Sequence, residues 1–108
     1  MYYPDLNNRA TKDLLPGIRA RTFWGEKMLL AIVDLEANAV IPAHRHPHEQ
    51  CGVVLKGELT FTIAGEVRTL HPGDPYVIPG DVEHTVTVGA EAAQVMDVFS
   101  PVREEYKY

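Results

Sequence analysis

Turn-forming residues interrupt this chain so regularly that no long helix fits between them. From Pro16-Gly17 to Ser100-Pro101, clusters of Gly, Pro, Asn and Asp recur about every 8 to 12 residues, the interval of an antiparallel sandwich or barrel. The stretches between them are β-branched and aliphatic, or alternate apolar with polar residues, as in Leu59-Thr60-Phe61-Thr62-Ile63. Such alternation fits a half-buried strand, whose successive side chains face opposite ways. The pattern predicts strands over 18–24, 28–35, 50–55, 59–63, 67–70, 76–78, 82–88 and 92–99. Ala64-Gly65-Glu66 forms the connection of a tight hairpin, and Asn38 suits a turn position of positive φ. Nowhere is a helical period sustained over three turns, and there is no repeat or low-complexity tract. Residues 1–15 carry no period and are expected to form an irregular arm. Residues 16–108 are expected to form one all-β domain.

A chain of 108 residues has room for one modest core. Ten basic against fifteen acidic residues leave a formal charge of −5, which disfavours nucleic acid and anionic membranes as partners. No apolar run reaches the ~20 residues that span a bilayer. The opening residues lack the basic start and apolar core of a secretory leader. The single cysteine, Cys51, has no partner within the chain, and a reducing cytoplasm is the expected compartment. Lying in an apolar run, Cys51 is expected to be a small buried thiol rather than a nucleophile.

Chemistry concentrates in His44-Arg45-His46-Pro47-His48-Glu49-Gln50, which holds three of the five histidines. Imidazoles at i and i+2 share one face of a strand, a disposition that suits a divalent metal. Strand parity puts residues 44, 46 and 50 on one face and Glu49 on the other. Further along, His84 follows the turn Pro79-Gly80-Asp81.

His44, His46, Gln50 and Gly57 have the spacing of the first cupin motif, with Gln50 where Glu is usual. Gly73, Pro79 and His84 have that of the second, with Asp81 at a usual glycine position. The chain therefore resembles the cupins over most of its length. The resemblance implies a β-sandwich or jelly-roll barrel holding one divalent transition metal (Ni, Zn, Fe or Mn) on His44, His46, Gln50 and His84. Its motif spacing also selects Gln50 over Glu49 as the fourth ligand. A neutral glutamine in place of glutamate would leave the ion's full charge on the site and make it more Lewis-acidic. His48 and His71 fit neither motif and are expected to be exposed loop residues.

The run Met96-Asp97-Val98-Phe99-Ser100-Pro101-Val102-Arg103 narrows the resemblance. With the metal stretch it is similar to the KdgF-type cupins of pectin and alginate breakdown, which linearise 4,5-unsaturated monouronates to 4-deoxy-5-keto-uronates. That resemblance implies that Asp97 moves protons, that Phe99 walls the sugar and that Arg103 binds its carboxylate, as a guanidinium fork can. A small sugar acid is then the expected ligand. Two other classes are a mononuclear cupin dioxygenase, which would need a redox metal and oxygen uptake, and a non-catalytic sugar-binding cupin. Small cupins also pair through sheet edges or an N-terminal arm, so a homodimer using residues 1–15 is expected.

Overall fold

In the computed structural model, which describes residues 2–108, the eight expected strands are joined by two more, Lys12–Leu15 and Val40–His44, to make ten. In chain order they are β1 (Lys12–Leu15), β2 (Ile18–Trp24), β3 (Leu29–Leu35), β4 (Val40–His44), β5 (Glu49–Lys56), β6 (Leu59–Ile63), β7 (Glu66–Leu70), β8 (Pro75–Ile78), β9 (His84–Val88) and β10 (Ala93–Ser100). One 3-10 turn follows at Glu104–Tyr106. A six-stranded sheet runs β1-β2-β3-β10-β5-β8 and a four-stranded sheet runs β4-β9-β6-β7. Every pairing is antiparallel, and together the sheets form a β-sandwich. Among the described residues no helix is long and apolar enough to cross a membrane.

Alternation decides what lies between the sheets. In β3, Leu29, Ala31, Val33 and Leu35 are buried while Leu30, Ile32 and Asp34 face outward. β10 repeats this with Ala93, Val95, Asp97 and Phe99 inside. Leu59 and Phe61 of β6 and Val86 and Val88 of β9 close the core from the other sheet. Burying each such side chain fully favours folding by about 1.5–3 kcal/mol.

The turns follow their local chemistry. Ala64 and Gly65 both take positive φ, 49° and 81°, giving the two-residue hairpin between β6 and β7. Asn38 sits at φ 62° between β3 and β4. Gly57, the glycine that ends the first motif, has φ 80°, and a Cβ there would lie 2.8 Å from the Ala92 carbonyl oxygen. Only glycine lets β5 turn into β6 so close to the start of β10.

Three expectations need correction. Lys12–Leu15 of the expected arm is a strand, paired with β2 through Lys12↔Ala20 and Asp13↔Arg19; Met1 lies outside the described residues. Cys51 is exposed on the outer face of β5 rather than buried. The run around it alternates, with Val54 in the core and Cys51 on the opposite face, and period two alone does not say which face is the core. The third correction concerns the ligands' strand. His44 ends β4 in one sheet, His46 lies in the loop, and Gln50 belongs to β5 in the other sheet. Pro47 marks the crossing between sheets, so convergence of the three comes from the sandwich and not from one strand's parity.

Candidate metal centre

His44 and His84 pair directly across β4 and β9, with ring centroids 4.2 Å apart. His46 reaches in from the loop, 5.0 Å from the His84 ring and 5.7 Å from that of His44. That loop is pinned by the second motif. The Asp81 N–H donates to the His46 carbonyl at 2.7 Å, and a Cβ on Gly80 would lie 2.5 Å from the Pro47 oxygen. Asp81 takes φ 61°, a conformation Asp tolerates in place of the usual glycine. Thus the two motif turns pack on each other.

Each of the three imidazoles bonds a backbone carbonyl through Nδ1: His44 to Pro42 at 2.9 Å, His46 to His48 at 3.0 Å and His84 to Val82 at 2.8 Å. A carbonyl only accepts, so Nδ1 carries the proton and Nε2 is left as a free lone pair. His46 Nε2 and Gln50 Oε1 are 3.1 Å apart. With Nε2 unprotonated, both atoms are electron-pair donors turned toward one point. Two ligands on a metal at ~2.1 Å and a right angle would stand about 3.0 Å apart. One ligand nitrogen from each histidine lies within 4.8 Å of the other two. The donor set therefore fits a divalent transition metal, which His44, His46 and His84 can hold. Burial, the nearby Arg103 guanidinium and His84 hold the His46 imidazole down to about pKa 4, and burial also lowers His84. Both effects keep the rings neutral, as ligands must be.

A second cluster borders the histidines. Across β10, β5 and β8 the register aligns Asp97, Gly52 and Tyr76 in one inward row and Phe99, Gln50 and Ile78 in the next. Asp97 is 6 % exposed and accepts a hydrogen bond from Tyr76 Oη. Burial raises its carboxyl to about pKa 6, against the opposing pull of Tyr76, Gln50 and Arg103. Burial likewise drives the Tyr76 phenol upward, so it stays a donor. A Cβ on Gly52 would overlap both Tyr76 Oη and Asp97 Oδ1.

Arg103 folds back from the tail with its side chain only 12 % exposed. Its guanidinium lies 4.0 Å over the Tyr106 ring and 5.1 Å over Phe99, 3.6 Å from a Glu105 carboxylate oxygen, and its buried Nε has no hydrogen-bond partner. A cavity of about 420 Å³ brings His44, Gln50, His84, Asp97, Phe99 and Arg103 together. Every site residue expected from the sequence except His46 lines it, and His46 adjoins through Gln50.

Other expectations sort by face. Glu49 points outward opposite Ser100, leaving Gln50 inside. His71 is exposed as expected, beside Glu58 at 3.3 Å. His48 is not an exposed loop residue: it is half-buried, its carbonyl orients His46, and its Nδ1 is buried without a partner. Sequence reasoning missed Tyr76, Tyr106 and Gly52. The signal for Tyr76 and Gly52 is register across neighbouring strands, and that for Tyr106 is the path of the tail after β10; pattern along one strand carries neither.

The model of the cupin domain matches residues 31–99. Among solved structures, KdgF from Halomonas sp. is 29 % identical, covers 94 % of this chain and of its own, and superposes with a TM-score of 0.87. An RmlC-like cupin from Shewanella frigidimarina is 21 % identical over 99 % of this chain and 96 % of its own, with a TM-score of 0.92. The polyketide cyclase RemF from Streptomyces resistomycificus reaches a TM-score of 0.81 at 17 % identity, over 93 % of this chain and 79 % of its own. The latter two likenesses speak for the fold alone. With its two motif turns interlocked around three converging imidazoles, the chain belongs to the cupin family.

Proposed function

We propose that this cupin is a metal-dependent enzyme that linearises 4,5-unsaturated monouronates to 4-deoxy-5-keto-uronates. The observation that carries this reading is the gathering of Asp97, Phe99 and Arg103 with Gln50 and two histidines around one cavity. The similarity to KdgF over 94 % of both chains supports it.

The conversion is an isomerisation. The C1 hydroxyl loses a proton as the bond from C1 to the ring oxygen breaks, and C4 gains a proton as the C5 enol becomes a ketone. Arg103, lying over Phe99 and Tyr106 and beside Glu105, offers its fork to the sugar carboxylate. Asp97, with a pKa near neutrality, can take the first proton and return the second. Phe99 gives the ring an apolar wall. His44, His46, His84 and Gln50 would hold a divalent ion (Ni, Zn, Fe or Mn), which when bound supplies Lewis acidity toward a sugar oxygen.

The test is loss of the substrate's alkene ultraviolet absorbance, with the protein loaded in turn with zinc and nickel. Decay faster than the spontaneous rate, abolished by chelation and accompanied by no oxygen uptake, is expected. A rate equal to the spontaneous one with metal bound would overturn the reading.

A further inference from the structure

Five polar or charged side chains are buried among the described residues. Four of them, His46, Gln50, His84 and Asp97, make or adjoin the metal centre. The fifth is Thr22 on β2, which is fully buried, at 0 % exposure. Its register sets it in the site's own row. Thr22 pairs with Ala31 and Ala31 with Asp97, so the inward row reads Thr22–Ala31–Asp97–Gly52–Tyr76. Two strand spacings, about 9.6 Å, separate β2 from β10, and Thr22 does not line the cavity. Strand formation does not ask for a hydroxyl there. Valine has nearly the same shape, suits a strand as well and needs no partner.

The hydroxyl serves the tail instead. Thr22 Oγ1 donates to the Tyr106 backbone carbonyl at 2.7 Å, and burial makes leaving such a hydroxyl unpartnered unfavourable. After β10 the tail has no strand partner. It crosses from β10 toward β2, with Arg103 over Phe99, Tyr106 bonded to Thr22, and Tyr108 Oη donating to the Ala10 carbonyl at 2.6 Å with that of Ala20 3.3 Å away. Arg9 adds a bond to the Tyr108 backbone oxygen. Within the tail, the Tyr106 N–H bonds the Arg103 carbonyl at 2.9 Å, and the Tyr106 ring lies 4.0 Å from the Arg103 guanidinium. What fixes Tyr106 therefore fixes the surface on which Arg103 stacks.

We propose that Thr22 is a positioning residue for Arg103, setting through the Tyr106 carbonyl where the guanidinium meets a substrate carboxylate. Holding a guanidinium in place before the ligand arrives strengthens binding without any new contact. The identity of that carboxylate rests on the uronate reading; the placing of Arg103 rests on the fold alone.

Two measurements on the zinc-loaded full chain separate these halves. The first needs no substrate: the rate at which phenylglyoxal labels Arg103, followed by mass spectrometry. Thr22→Val should raise it roughly three- to tenfold, the effect of one hydrogen bond on a local opening equilibrium. Thr22→Ser should keep the wild-type rate, and exposed Arg68 should label equally in all three. The second is turnover of the unsaturated uronate and of its methyl ester. Thr22→Val should raise KM for the acid by a similar factor with kcat unchanged, and should leave the ester's kinetics as they are. A substitution that merely loosened the core would depress both. Should Thr22→Val fail to fold, Tyr108→Phe, at a partly exposed position, decides the matter by shifting both readouts the same way. Unchanged labelling and KM would overturn the proposal, as would equal effects on acid and ester. A wild type that converts no uronate, while its variants label as expected, would overturn the uronate reading and leave Thr22 as the residue that holds Arg103.

Discussion

Tyr76 Oη donates its hydrogen bond to Asp97 Oδ1 across two strand boundaries, and Gly52 of β5 lies between the two strands that carry them. The contact does two things to the carboxyl. It fixes the orientation of a side chain that burial would otherwise leave unsatisfied, and it moderates the rise in pKa that burial imposes. Tyr76 is therefore a positioning residue for the proposed proton carrier.

Replacing Tyr76 with Phe should lower turnover of the unsaturated uronate about 10–100-fold, the usual effect of removing a partner behind a working group. The acidic limb of the pH–rate profile should move to higher pH, since the lost bond favours the carboxylate. Metal content by elemental analysis should stay at the wild-type level. An unchanged profile with an unchanged rate would show that Tyr76 only packs.

Gly52 makes a sharper demand. A single methyl there overlaps the phenol oxygen and the carboxylate together, and both are held by packed strands. Gly52→Ala should destabilise the fold by about 1–3 kcal/mol, the range for forcing atoms into a filled interior. Urea unfolding measures this, and a stability equal to wild type would mean that the row Asp97–Gly52–Tyr76 can open.

Arg103 separates charge from shape. Lysine keeps the charge but loses the planar fork and the stacking over Phe99 and Tyr106. Arg103→Lys should lower kcat/KM roughly tenfold, mainly through KM, and Arg103→Ala by more, since a hydrogen bond to a charged group is worth about 1.5–3 kcal/mol. The methyl ester of the substrate should be turned over equally by all three. If the ester discriminates as strongly as the acid, Arg103 does not bind the carboxylate.

Much of this was legible in the chain because strand period and turn residues act locally. Ala64-Gly65, Asn38 and the alternation in 59–63 each carry their own conformation. The spacing of His44, His46, Gln50 and His84 likewise names the residues that converge. What local pattern lacks is the partner strand. Cys51 reads as core because its run is apolar, yet only alternate residues of that run face the core, and Cys51 stands on the other side. Lys12–Leu15 reads as coil because a short edge strand is stabilised by β2 rather than by its own sequence. Tyr76 becomes part of the site only once β8 lies beside β5 in register with Gly52 and Asp97.

The metal-free protein should reveal opposing proton linkages. His46 has a folded pKa of about 4 against 6.5 unfolded, so its contribution to stability is complete above pH 6.5 and is lost as pH falls toward 4. His84, also lowered, acts in the same direction. Asp97 has a folded pKa of about 6 against 3.8, so its contribution is complete below pH 3.8 and is lost as pH rises toward 6. Between pH 4 and 6 the carboxyl therefore offsets part of the histidines' acid sensitivity. Asp97→Asn removes that offset while keeping an oxygen for Tyr76. In chelator-treated protein, urea midpoints should fall gently with acidification in the wild type and more steeply in Asp97→Asn, with the curves diverging by on the order of 2 kcal/mol over the window. Parallel curves would mean that Asp97 is not held protonated by its burial, and would remove the basis for its near-neutral titration in the proposed reaction.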